Sequence, residues 1–346
     1  MAETAGSSTP PTPPTTPALP PAAKVTQSPT YIAVINELNV NSDQLLKRQN
    51  LMREIELALT ARYGVSNRLM SYFVRFDHRR AMMGSADIAS LEAILNTITG
   101  AEQINILLHS PGGDPTVIEK MIHMCRAHMS GAQPKLRVIV PNIAKSAATL
   151  FALGADTILM GYCSELGPID PQVPISVSGV TQWVSAFAFV GSRDKLMEQL
   201  AEAIKRKEPT AGYLTQLATL DIPFTHEMEN WIEFSRKTGV TLLDKYMLKP
   251  KFPRAAQRKK KAEGIAKKLL SKQLFPVHPQ FINGETAKNL GLEVEILSKD
   301  EPLWDLLWTF YIRSEVQMNL PIQAPLIKVK SFESSQGSLV IQDTAS

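Results

Sequence analysis

The chain has 346 residues, enough for a substantial core in one large domain or two. Hydrophobic residues make up 44% and charged residues 20%, an ordinary balance for a soluble protein, and a net charge of +4 is too small to point to a polyanion partner. Two cysteines, Cys125 and Cys163, make neither a metal-ligand spacing nor a disulfide framework, so a reducing, cytoplasmic setting is expected.

Residues 1–29 form a Pro/Thr-rich stretch that cannot bury enough apolar surface to order. With no basic start and no apolar core it does not read as a signal peptide. No stretch approaches ~18 uninterrupted apolar residues, so no membrane span is expected. Residues 31–61 carry Leu45, Leu46, Leu51, Ile55 and Leu59 among charges, which predicts one or two amphipathic helices in an N-terminal arm, 30–66. An entering strand is expected at 69–76, then His78 on the surface beside two arginines, then a helix over 88–97.

Residues 104–172 organise the rest. Segments 104–109, 136–140 and 157–160 are short runs rich in Ile, Leu and Val, as buried strands are. Between the first two, Val117, Ile118, Met121, Ile122 and Cys125 recur at helical spacing, which makes Cys125 a core residue. Between the second and third, 147–153 is a small-residue helix ending at Gly154. Strand, helix, strand, helix, strand predicts an α/β fold with a parallel sheet and right-handed crossovers.

The two strand-to-helix turns carry candidate chemistry. In Ser110-Pro111-Gly112-Gly113-Asp114 two glycines allow a sharp turn and present bare N–H groups. In Asn142-Ile143-Ala144-Lys145-Ser146-Ala147-Ala148 a serine opens a helix among residues too small to block it. Each is commonplace alone, a turn and an N-cap; paired at the ends of successive strands they have the parts for acyl transfer.

Beyond Gln172, residues 173–189 read as a flexible or interface segment. Amphipathic helices follow at 193–207 and 225–248, so that 173–253 reads as a variable helical insertion, a cap or oligomer arm. The basic helix over 254–272 carries Ile265, Leu269 and Leu270 and no interleaved aromatics, which favours a solvated face over nucleic-acid binding. Past Trp308 the chain turns polar, and 301–346 reads as a helix with a loosely ordered tail.

The motifs SPGG, VPNIAKSAAT and LGADTILMGYCSELGPIDPQ resemble the serine dehydrogenase proteinase family of the Clp protease/crotonase superfamily, related to signal peptide peptidase A. A second match, FPVHPQFINGETAKNLGLEV from Phe275, resembles the superfamily's closing segment, a small helix before a last strand. The resemblance covers roughly 68–172 and 262–297. It implies a repeated ββα spiral with a parallel sheet over 67–300. It also implies a serine peptidase with nucleophile Ser146, an oxyanion hole from the N–H groups of Gly113 and Ala147, and no cofactor. Substrate, a protein or peptide, would lie as an extended strand beside Gly113, contacting Gly112, Asp114 and Lys145. Homo-oligomeric assembly is expected.

Ser146 needs a base, since a free hydroxyl is a poor nucleophile at neutral pH. The Clp proteolytic subunit carries its histidine in a segment resembling residues 167–172, but here that segment offers Asp170 and no histidine, so the Clp-type triad is not visible. By resemblance to signal peptide peptidase A, Lys195, 49 residues after Ser146 at a helix start, fits as base and suggests a Ser-Lys dyad. Burial would have to lower its pKa. His278, alone in the closing segment, is the third candidate. Lys145 should point away from its neighbour and could steer a substrate carboxylate. A catalytically silent, peptide-binding scaffold is the main alternative; a crotonase-type acyl-CoA enzyme would not need Ser146.

Overall fold

The computed structural model describes residues 31–40, 44–76, 78–98, 100–319 and 326–344. The Pro/Thr-rich stretch 1–29 lies outside them. Among the described residues, two helices, α1 (Tyr31–Val40) and α2 (Gln44–Tyr63), precede the first strand, β1 (Asn67–Val74). Then come α3 (Ile88–Leu95), β2 (Gln103–His109), α4 (Ile118–Ala127), β3 (Lys135–Val140), β4 (Ile143–Ala144), α5 (Ala147–Leu153), β5 (Thr157–Met160) and β6 (Glu165–Leu166). A hairpin, β7 (Gln172–Val177) and β8 (Val180–Ser185), leads into α6 (Ala186–Arg206), α7 (Ala211–Ala218) and α8 (Ile222–Leu242). The chain closes with α9 (Ala255–Leu269), α10 (Gly284–Leu290), β9 (Val294–Ile296), α11 (Pro302–Asn319), β10 (Leu326–Ser334) and β11 (Ser338–Thr344).

The fold is mixed α/β with a largely parallel central sheet, as expected. Its seven strands run in the order β11-β10-β1-β2-β3-β5-β9. From β1 to β9 all neighbours are parallel; β10 and β11 are antiparallel additions beside β1. Both faces are covered, so the strands are apolar on both sides. Leu69, Leu107, Ile139 and Leu159 face α2 and α11, while Met70, Ile106, Val138 and Ile158 face α3, α4 and α5.

A second, smaller layer sits at the carboxyl ends of these strands and positions the site. Ser110 after β2 bridges Ala144 in β4, β4 pairs with β6, and Leu166 in β6 bridges Ile282 of the closing segment. Each central strand thus turns and contributes one short extended piece before its helix. That is a β, β, α repeat.

Three expectations are corrected. The 173–253 insertion is not wholly helical: Val173–Ser185 alternates β-branched, aromatic and polar residues, and the β7–β8 hairpin forms around Ser178-Gly179, both at positive φ. The 301–346 region is not a helix with a loose tail, because residues 329–335 are buried and β10 pairs with β1. Lys330, Ser331, Glu333 and Ser334 hide this strand from a hydropathy reading; their polar atoms are satisfied internally. His78 is buried rather than on the surface, since the same hairpin covers it and brings Asp343 to 3.8 Å from its ring.

Candidate active site

Ser146 caps α5 with φ +52° and ψ −119°, a region that non-glycine residues rarely adopt. Such strain is retained where surrounding structure fixes it. Here the fixing contacts are plain. Lys145 N–H donates to Ser110 O, Thr149 Oγ1 donates to Ala144 O at 2.7 Å and accepts from Gly167 N–H at 3.0 Å, and Gly112 packs against the turn. A Cβ on Gly112 would come within 2.8 Å of the Ser146 Cβ, so only glycine at φ +106° fits. The result is a half-buried serine at a sharp strand-to-helix turn, the geometry of a nucleophile elbow. Among the described residues its hydroxyl has no hydrogen-bond partner.

The glycine turn lies alongside. Met83 N–H donates to Gly112 O (2.8 Å) and Asp114 N–H donates to Met83 O (2.9 Å). In such parallel pairing the intervening residue faces its N–H and C=O to the other edge. Gly113 therefore presents an unpaired N–H away from Met83. The N–H of Ala147, at the first position of α5, is likewise without an acceptor among the described residues. A Cβ on Gly113 would lie 2.3 Å from the Met83 carbonyl oxygen, so the approach of these two segments requires glycine. Asp114 is exposed and caps the turn that follows, accepting from Thr116 N–H at 2.8 Å.

The closing segment completes the surroundings. His278 Nδ1 lies 2.8 Å from Asp170 Oδ1, and Asp170 is fully buried. Asp170 also accepts from Lys272 Nζ, from Ser185 Oγ at 2.8 Å and from Gln172 Nε2 at 2.8 Å. Burial alone would raise this carboxyl, but hydrogen bonds from His278 and Lys272 outweigh it and hold it down at about 2. The carboxylate is therefore charged at neutral pH and fixes the ring that it holds.

Lys145 does not stand free to steer a substrate. Its Nζ lies 2.8 Å from Glu165 Oε2 and donates to Pro279 O at 2.7 Å, tying the serine turn to the residue after His278. Lys195 stands exposed on α6, with no side-chain partner among the described residues. Ser146, Gly112, Gly113 and Ala147 are thus brought together, with the His278–Asp170 pair on the segment that Lys145 ties to them, whereas Lys195 lacks the burial a lysine base requires. Among the described residues no group of three His, Cys, Asp or Glu side chains converges as a metal site. No helix there is long and apolar enough to cross a membrane.

Sequence reading missed the His278–Asp170 pair, although it singled out each residue separately. The partners lie 108 residues apart, in the order serine, aspartate, histidine. The available signal was that one segment supplied an acid without a histidine and the other a histidine without an acid.

Residues 31–181 match the family model described as ClpP-like SDH-type serine proteinase. The resemblance read from the motifs is thus met by the family model over that segment. Two uncharacterized proteins of Methanocaldococcus jannaschii are similar: one is 32% identical over 139 residues, covering 37% of this chain and 44% of the relative. The other is 36% identical over 70 residues, covering 20% and 23%. The chain spans less than half the length of these curated relatives. Two solved structures of the 1510-N membrane-bound stomatin-specific protease are also similar, one a serine-to-alanine mutant and one a lysine-to-alanine mutant in complex with a substrate peptide. Their TM-scores are 0.35 and 0.33, with 14% and 15% identity, covering 62% and 63% of this chain and 75% and 73% of theirs. Likeness of that degree carries nothing further about this site.

Proposed function

We propose that the chain is a serine peptidase that cleaves peptide bonds through an acyl-enzyme on Ser146. The observation that carries this reading is the strained Ser146 turn, its hydroxyl free and two unpaired N–H groups beside it. A peptide laid as a strand along the outward edge of Gly113 would bring its carbonyl to Ser146. Ser146 Oγ attacks the carbonyl carbon while the N–H groups of Gly113 and Ala147 receive the developing oxyanion. His278 Nε2 takes the hydroxyl proton, Asp170 holds the ring through Nδ1–H, and the leaving amine then receives that proton. Water, deprotonated by the same ring, releases the acyl group. The reaction as written uses only side chains and backbone amides.

The Asp170-held ring supports His278 over Lys195 as base. In this structure His278 is not hydrogen-bonded to Ser146, as catalytic contacts without substrate often are not. The catalytic unit extends past residue 300, since β10 is part of its sheet. Exposed Trp183, Met197, Ile204 and Ile222 on β8, α6 and α8 support homo-oligomeric assembly. The two free thiols, Cys125 and Cys163, support a reducing, cytoplasmic location.

The test is labelling with a fluorophosphonate probe across roughly pH 6 to 9. Labelling that disappears in Ser146→Ala and slows strongly in His278→Ala, but persists in Lys195→Ala, supports the triad. Loss in Lys195→Ala with retention in His278→Ala would move the base to the lysine. If the wild type is never labelled, a silent peptide-binding scaffold replaces the hydrolase.

A further inference from the structure

The strand β10, in the polar C-terminal region, carries a buried lysine that the acyl-transfer chemistry does not use. Lys330 pairs with Val74 across the β1–β10 ladder, and its ammonium is buried with Asp87. Its Nζ donates to Asp87 Oδ1 and Oδ2, at 2.7 and 2.8 Å, and to the backbone oxygen of Met82 at 2.7 Å. An ammonium has three donors, so this one is saturated. Asp87 in turn accepts from Gly84 N–H at 2.8 Å and from the Tyr72 hydroxyl at 2.7 Å.

These contacts grip Met83 from both sides. Lys330 holds the carbonyl of the residue before it, and Asp87 holds the amide of the residue after it. Met83 itself holds the glycine turn, through Gly112 O and Asp114 N–H. One unbroken series of hydrogen bonds therefore runs from the C-terminal hairpin to the peptide that aims the Gly113 N–H. A buried pair of this kind contributes little net stability, since desolvation offsets much of the attraction. Its use lies in the geometry it fixes.

We propose that Lys330, acting with Asp87 through Met82–Gly84, is a positioning residue for the Gly113 oxyanion donor, so that the C-terminal hairpin is part of the catalytic machinery. This rests on the peptidase reading, and the test has one arm that does not. In Lys330→Met, kcat for a peptide substrate should fall roughly tenfold to hundredfold, less than for outright loss of an oxyanion donor, with KM within about twofold. Hydrogen exchange in a peptide spanning residues 111–116 should accelerate, because Met83 O no longer holds the Asp114 amide. The Lys330→Met/Asp87→Asn double variant removes the unpaired carboxylate; it should regain stability but not kcat. Wild-type exchange in that peptide, or acceleration spread evenly over the whole chain, would overturn the proposal, as would kcat returning together with stability in the double variant. If no peptide is hydrolysed even by the wild type, the peptidase reading fails by itself, and the exchange arm still decides whether Lys330 fixes the turn.

Discussion

The two halves of the candidate site are built by opposite means. Its nucleophile half, residues 110–149, is largely local: two turns at the ends of adjacent parallel strands, fixed by backbone hydrogen bonds to each other and to Met83 and by glycines that tolerate near-contact. Its acid–base half is assembled over long range, with Asp170 and His278 joined only after the whole helical excursion from α6 to α9. The first half is rigid by construction. The second depends on where a distant segment is tied down, and Lys145 is one of the ties. The difference predicts that faults in the two halves will look different: loss of fold in the first, loss of rate with the fold intact in the second.

The largest effect should come from the acid–base half. Asp170→Asn leaves a side chain of the same shape but removes the charge that holds the His278 ring, and kcat should fall roughly 10³–10⁴-fold. Lys195→Ala, on an exposed helix position, should change kcat less than about twofold. Steady-state kinetics on the two variants makes the comparison; equal losses would break it.

Next in size is the nucleophile half. Gly113→Ala drives a Cβ into the backbone of Met83, and this φ of +153° strains any other residue. About 3 kcal/mol of stability should be lost, with activity falling alongside. Chemical denaturation reads the first quantity. A variant as stable as the wild type would show that the Met83–Gly113 pairing is not tight.

The contrast also explains what the sequence revealed. The parallel core was legible because its strands are apolar on both faces and its helices keep a clear period, as Ile118, Met121, Ile122 and Cys125 do. Ser146 and the glycines were legible because turn chemistry is written in adjacent residues. The Asp170–His278 pair was not, because nothing local in either segment marks a contact 108 residues away. The β10 strand was hidden for another reason. Lys330 and Glu333 read as solvent-facing, and only their partners Asp87 and Arg48, far away in the chain, make them inward. Hydropathy records a residue's own preference and not its partner's.

The tie between the halves can be cut directly. Lys145→Met keeps most of the length of the side chain but removes the donor to Pro279 O and the partner of Glu165. A part-buried ion pair and one hydrogen bond together are worth about 1–2 kcal/mol of stability, a thermal shift of a few degrees at most, while the loosened His278 segment should lower kcat roughly tenfold. A thermal shift of more than a few degrees without a change in rate would make Lys145 part of the rigid half instead.

The smallest effect at neutral pH concerns His109, the last residue of β2, directly before the glycine turn. It is buried among Phe73, Phe76 and Tyr311, with ring centroids 4.4, 4.5 and 5.1 Å away, and its Nδ1 has no partner among the described residues. Glu315, 3.8 Å from its Nε2, is the acid that faces it. Burial pushes the ring from 6.5 down to about 3, so it is neutral in the folded protein at ordinary pH. The sign follows from linkage. As pH falls below about 6.5 the unfolded chain binds a proton that the folded ring refuses until about 3, so stability is full above this window and declines through it, by about 1.4 kcal/mol per pH unit well inside it. Asp170 adds an acid dependence only lower, between its ordinary 3.8 and about 2, where the unfolded chain's carboxyl binds a proton that the folded, hydrogen-bonded carboxylate still refuses. Unfolding free energies of the wild type and His109→Phe between about pH 6 and 4 therefore isolate the histidine from Asp170. The variant keeps an aromatic ring in the cluster and should be within about 1 kcal/mol of the wild type at pH 7, with a shallower decline on acidification by close to one proton. Parallel pH profiles for the two proteins would mean that His109 opens to solvent before it titrates, and that the wall behind the glycine turn is softer than its packing implies.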